Sequence, residues 1–195
     1  MDSFLAIPAA GVLYTVVFAA MSALRREGLS PAFLAQSLSI TAVFTIANLL
    51  GGARLHPVAF LIVLYLLSMR IRILLDLASL LASRGSLGRA RRLHDLALRL
   101  LPSVTERFVV AVNGAVCSLQ AGDAASAAAA LSAALDSPHY RGVGVKHRSA
   151  AHYNLAVAYG REKRKAEAAV ELQRVIDLWP VSEYARRAEA LLRQG

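Results

Sequence analysis

From Ser3 to Leu24 the chain carries no charged side chain, and from Gly28 to Ala53 it again carries none. A helix needs about 20 mainly apolar residues to cross about 30 Å of bilayer hydrocarbon. FLAIPAAGVLYTVVFAAMSAL (Phe4 to Leu24) and AFLAQSLSITAVFTIANLL (Ala32 to Leu50) both meet that length. A third run, HPVAFLIVLYLLSM (His56 to Met69), is shorter, roughly 20 Å as a helix. Pro57 suits its first turn, and Arg70 and Arg72 lengthen its reach by snorkelling toward headgroups. After Met69 charges recur every few residues. The sequence therefore divides into a transmembrane anchor region, residues 1–69, with three spans, and a polar, alanine-rich region, residues 70–195. Met1, Asp2 and Ser3 lack the positive start of a cleaved signal peptide.

Lys and Arg near membrane spans gather on the cytoplasmic side. Arg25 and Arg26 lie in the first connection, and Arg70, Arg72, Arg84, Arg89, Arg91 and Arg92 follow the third span, against Arg54 alone in the second connection. The expected placement is a bacterial plasma membrane with a cytoplasmic C-terminal domain. Between Pro57 and Arg84 there is no Gly or Pro, so the third span and the helix after it are expected to form one continuous rod. Cys117, the single cysteine, excludes an intrachain disulfide. It lies on an apolar stripe, AVCSLQ, and reads as a small buried hydrophobe.

The polar region repeats one pattern three times: a helix, a short turn, a helix with Ala in its first turn, and an ending near Pro. The segments run from Ile73 to Pro102, from Ala111 to Pro138 and from His152 to Pro180. Their turns are anchored on Gly85, Gly122 and Lys163, at spacings of 37 and 41 residues. A period of this size belongs to stacked helical hairpins, because one hairpin cannot cover its own apolar face.

These residues resemble the tetratricopeptide repeat family. The third segment carries the pattern best, in His152, Leu155, Ala156, Tyr159, Ala168, Leu172, Val175 and Pro180. The first aligns Leu77, Ala78, Leu81, Gly85, Ala90, His94, Ala97 and Pro102. The second aligns Gly114, Ala115, Ser118, Gly122, Ala127, Leu131 and Ala134, with Pro138 one residue early. The resemblance implies an all-α fold, with the transmembrane helices followed by an α-solenoid of about three hairpins. VSEYARRAEALLRQ after Pro180 would be the capping helix such arrays need.

The resemblance further implies a concave groove lined by the first helix of each repeat. Carried over by position, this gives Arg72, Leu75, Asp76 and Ser79, then Val109, Val112, Asn113 and Val116, then Tyr153, Asn154, Val157 and Arg161. Val112, Val116 and Val157 are expected to be partly exposed there. Of the family's carboxylate clamp only Asn113 and Asn154 have counterparts, while Leu75 and Ala150 replace basic residues. An apolar helix or strand from a membrane-complex subunit therefore fits better than a chaperone tail.

Residues 70–195 carry 19 Lys and Arg against 11 Asp and Glu. Arg70, Arg84, Arg89, Arg91 and Arg92 are candidates for anionic headgroups, which attract such residues by about 1 kcal/mol each. Nothing accompanies the charge that would point to nucleic acid. No nucleophile-His-acid set, phosphate-binding loop or paired metal spacing is present, so no enzyme activity, cofactor or metal is expected. His94 beside Asp95 projects in a different direction from its neighbour and reads as a packing residue; His139, His147 and His152 lack a ligand spacing. The expected function is a membrane-anchored scaffold that binds protein partners and supports assembly of a membrane complex. The competing reading is an accessory subunit of a membrane enzyme or transporter with an intramembrane site near Asn48 and His56.

Overall fold

The computed structural model describes residues 3–28, 30–51, 56–138 and 140–194. Arg54 and His139, both used above, lie outside the described residues. Among those described there is no strand, and the α-helices are α1 (Ser3–Leu24), α2 (Pro31–Leu49), α3 (Pro57–Ser68), α4 (Arg70–Ser83), α5 (Leu87–Arg99), α6 (Val104–Gln120), α7 (Ala124–Leu135), α8 (Val145–Arg161), α9 (Lys165–Leu178) and α10 (Glu183–Leu192). The chain forms two compact units, one of Met1–Arg25 with Leu29–Ile73 and one of Arg26–Gly28 with Leu74–Gly195.

In the first unit, α1 and α2 are long and apolar enough to cross a membrane. Ser30 accepts a hydrogen bond from Phe33 N to cap α2, and Pro31 opens it, where a missing N–H costs nothing. The three helices pack around Ile7, Tyr14, Phe60 and Leu64. Where α1 meets α2 the contact is small and polar: a β-carbon at Gly11 would collide with Thr41. The Thr15 hydroxyl reaches Gly11 O at 2.8 Å and Ser37 Oγ at 3.0 Å. Leu13, Val16, Val43, Ile46, Ile62 and Leu66 face outward. Small and hydroxyl residues at the α1–α2 contact, with large apolar ones facing outward, suit hydrocarbon surroundings, and the outward apolar surface departs from the water-soluble pattern.

The expected continuous rod is not what forms. α3 is only 12 residues long, about 18 Å, and the chain bends by 69° between α3 and α4. No Gly or Pro marks the site because the cause is tertiary. Ser68 Oγ turns back onto Leu64 O at 2.6 Å and also meets Tyr14 Oη at 2.7 Å. Leu67 O, which a straight helix would bond to the fourth residue on, accepts instead from Gln36 Nε2 at 3.1 Å and Arg70 Nη1 at 3.0 Å. A kink needs such replacement partners for its freed backbone groups. By itself α3 falls short of a membrane span.

In the second unit each helix from α5 to α10 packs on the next, and α6, α8 and α10 also pack side by side. The same turn closes three hairpins. Gly85, Gly122 and Lys163 all have positive φ, at 76°, 86° and 62°. The following N–H of Ser86, Asp123 and Arg164 reaches back to Leu81 O, Ser118 O and Tyr159 O at 2.8, 3.0 and 2.9 Å. This left-handed cap satisfies the last carbonyls of the first helix and turns the chain into the second. Small residues then let the helices approach: Ala78, Ala90, Ala127, Ala156 and Ala168 are all buried, as are Leu131, Leu155, Leu172 and Val175. Phe108, Ala115 and Leu119 of α6 join α7 and α8 in the largest core. Ser103 and Glu106 form a reciprocal capping box at the head of α6. Cys117 is buried beside Ala78 and Ala90, in the packing role expected of it. His94 is buried too; desolvation holds its imidazole below the ordinary value, against the opposing pull of Asp95.

Candidate binding hollow

The side-by-side layer of α6, α8 and α10 lines an open hollow of about 350 Å³. α6 lends Val109, Val112, Asn113 and Val116, and α8 lends Tyr153 and Asn154, six of the residues expected there. His147 and Ala150 of α8 and Tyr184 and Arg187 of α10 complete the wall. These positions share a side because they recur at three- and four-residue spacing on each helix.

The wall is aliphatic along α6 and aromatic toward α10, where the rings of Tyr153 and Tyr184 lie 5.7 Å apart. Asn113 Nδ2 donates to Val109 O at 2.8 Å, a bond that does not use its carbonyl oxygen, an acceptor. Asn154 makes no side-chain hydrogen bond among the described residues and offers both donor and acceptor. Arg187 is ion-paired to Glu183. Burial pushes the Tyr184 hydroxyl above its ordinary range, with Arg187 pulling the other way. Valine surfaces, two ring faces and two primary amides can hold an apolar segment while pairing with its main chain.

The remaining expectations fare differently. Val112 lines the hollow but is buried, only 7% exposed rather than partly open as expected, because its other side packs in the α6–α7–α8 core. Val157 packs against that same core and does not reach the hollow. Arg161 donates to Leu119 O at the end of α6, so it serves as a cap. Of the α4 set, Leu75 is buried while Arg72, Asp76 and Ser79 are exposed, and none of them lines the hollow. The contribution of α10 escaped sequence reading because a terminal helix was expected to shield apolar surface; the Tyr184 and Arg187 spacing was its one signal.

A buried polar chain lies in the same unit. His152 takes the place where the resemblance prefers Trp, and it works as a pivot. Its Nδ1 lies 2.6 Å from Glu171 Oε2 and its Nε2 lies 2.7 Å from Tyr140 Oη. Glu171 Oε1 accepts from Arg174 at 2.6 Å. With Nδ1 donating to the carboxylate and Nε2 accepting from the phenol, all three groups are satisfied. Arg148 stacks over the Tyr140 ring. The chain ties the stretch between α7 and α8 to α9. Burial raises the Tyr140 hydroxyl, with Arg148 opposing.

The proposed headgroup residues divide. Arg70 is committed to Leu67 O. Arg91 lies close enough to Asp123 to help lower its carboxyl, after the larger effect of the Ser126 hydrogen bonds. Arg84, Arg89 and Arg92 are exposed. Asn48 is half-buried near the end of α2, and His56 is exposed, its Nδ1 accepting from Val58 N to cap α3. Among the described residues no cluster of three or more His, Cys, Asp or Glu is arranged to hold a metal ion.

Fold and site together define an all-helical chain that joins membrane-length apolar helices to a unit of packed helical hairpins with a hollow on one side. Comparison with family models, with curated proteins and with solved structures finds no match.

Proposed function

We propose that this chain is a membrane-anchored scaffold of tetratricopeptide type whose hollow holds an apolar helix or strand of a membrane-complex subunit. The observation that carries the reading is the hollow itself. Its valine, tyrosine and asparagine wall is displayed by helices that alternate with the outer ones, as first helices do in a solenoid. Three identical left-handed turns support the repeat reading, and the buried alanines at matching positions support it further. In this reading α3 and the start of α4 complete a bent third crossing. The arginines of the first connection and those after α3 keep the hairpins in the cytoplasm of a bacterial cell.

Wall positions test the reading. A photocrosslinker placed at Val116 or Asn154 in the full chain, in its native membrane, should trap a membrane protein, while one at the exposed Gln173 of α9 should not. Val116→Glu should abolish the adduct formed from position 154 and leave the Trp179 emission unchanged. A charge there loses hydration without gaining a counterion. Equal crosslinking from Gln173, or an adduct indifferent to Val116→Glu, would move partner binding away from the hollow.

A further inference from the structure

The outward face of α5 combines features that water does not satisfy together. Ala90, His94 and Ala97 are buried and define its inner side. On the opposite side Arg89, Arg92, Asp95, Leu96 and Arg99, all exposed, recur at helical spacing, so three guanidinium groups and one carboxylate share one face. Leu96 is 42% exposed, Leu98 on the flank is 51% exposed, and Leu101, past the end of the helix, is 83% exposed. Arg89, Arg92 and Arg99 pair with no carboxylate among the described residues. Arg164, Arg174, Arg187 and Arg193, on or beside α9 and α10, each have one. The Arg89, Arg92 and Arg99 guanidinium groups therefore form no ion pair beside exposed leucines, and Asp95 is the one carboxylate of α5.

We propose that this face docks on an anionic lipid surface, with the leucines entering the headgroup boundary and the arginines meeting phosphates. Basic residues interleaved with leucine on one helix face are the chemistry of an interfacial helix, and Arg matches phosphate oxygens with two parallel donors. A second copy of the chain is a poorer occupant because the chain carries a net charge of +9 and offers like charge. The inference rests on membrane anchoring but not on partner binding in the hollow.

The test uses the full chain with Cys117→Ala and a fluorophore on Leu96→Cys, reconstituted into nanodiscs of phosphatidylcholine with or without phosphatidylglycerol. Nitroxide lipids should quench the label in the anionic discs and far less in the neutral ones. Arg89→Gln, Arg92→Gln and Arg99→Gln together should lower the docked-to-undocked ratio, by about fivefold each and about a hundredfold in all. Trp179 emission confirms folding of each variant, and recovery with the discs confirms anchoring separately. Three results would overturn the proposal: quenching no greater than for a label on Gln173→Cys, quenching indifferent to phosphatidylglycerol and to the arginines, or a label already shielded in detergent.

Discussion

Lys163 is the one non-glycine among three equivalent turn residues, and replacing it should stabilise the second unit. Its φ of 62° puts an L side chain in the left-handed region at about 1–2 kcal/mol. Glycine removes that cost but brings about 0.5–1 kcal/mol of unfolded-state entropy and loses about 0.3 kcal/mol of charge at a helix end. Lys163→Gly should therefore gain up to about 0.5–1 kcal/mol, or about 1–4 °C in melting temperature for a chain of this size. The side chain is exposed and the cap bonds are all main-chain, so nothing else changes. The reciprocal Gly122→Lys meets nothing within 4 Å at its β-carbon, which isolates the φ of 86° as its only penalty. It should lose about what Lys163→Gly gains. Denaturant titration of the full chain in mild detergent, followed by the single Trp179, measures both. If Gly122→Lys were neutral and Lys163→Gly destabilising, left-handed geometry would not be what holds these turns.

Ala156 is 3% exposed and packed among Leu172, Val175 and Ala188, so Ala156→Leu should overpack the hairpin by about 1–3 kcal/mol, read by the same titration. Glu171→Ala strands the buried His152 Nδ1 donor, while Arg174, 56% exposed, turns to water; it should cost about 1–3 kcal/mol, with Tyr140 becoming more accessible to nitration. Burial keeps Tyr184 protonated above its ordinary 10.0. The unfolded chain releases that proton first, so stability should fall as pH rises beyond about 10, and Tyr184→Phe should flatten the decline. A reporter fused after Gly195 should be active in the cytoplasm; activity on the other face would reverse the orientation drawn from the arginines.

What sequence reading captured, it captured through local chemistry. Gly85, Gly122 and Lys163 could be aligned because a left-handed cap leaves a mark at one position, and the alanines could be placed because close helix approach excludes larger residues. What it missed depends on partners distant in sequence. The break at Met69 is made by Tyr14 and Gln36, which no property of residues 57–84 reveals. Arg70 and Arg161 looked like free surface cations, yet each is spent on a main-chain carbonyl. Val112 lines the hollow as expected but is not partly exposed, because α6 is covered on two sides and its flank meets α7 and α8. Periodicity gives a helix its directions but not the number of neighbours.

The two turn spacings, 37 and 41 residues, differ although α6 and α8 both have 17 residues. The surplus lies in the link from Asp136 to Gly144, outside both flanking helices, and that link supplies Tyr140 to the pivot of His152. The extra length thus sits where it leaves the seams between helices in register. A link of this kind can change its side chains, Tyr140 among them, without disturbing how the helices on either side of it meet.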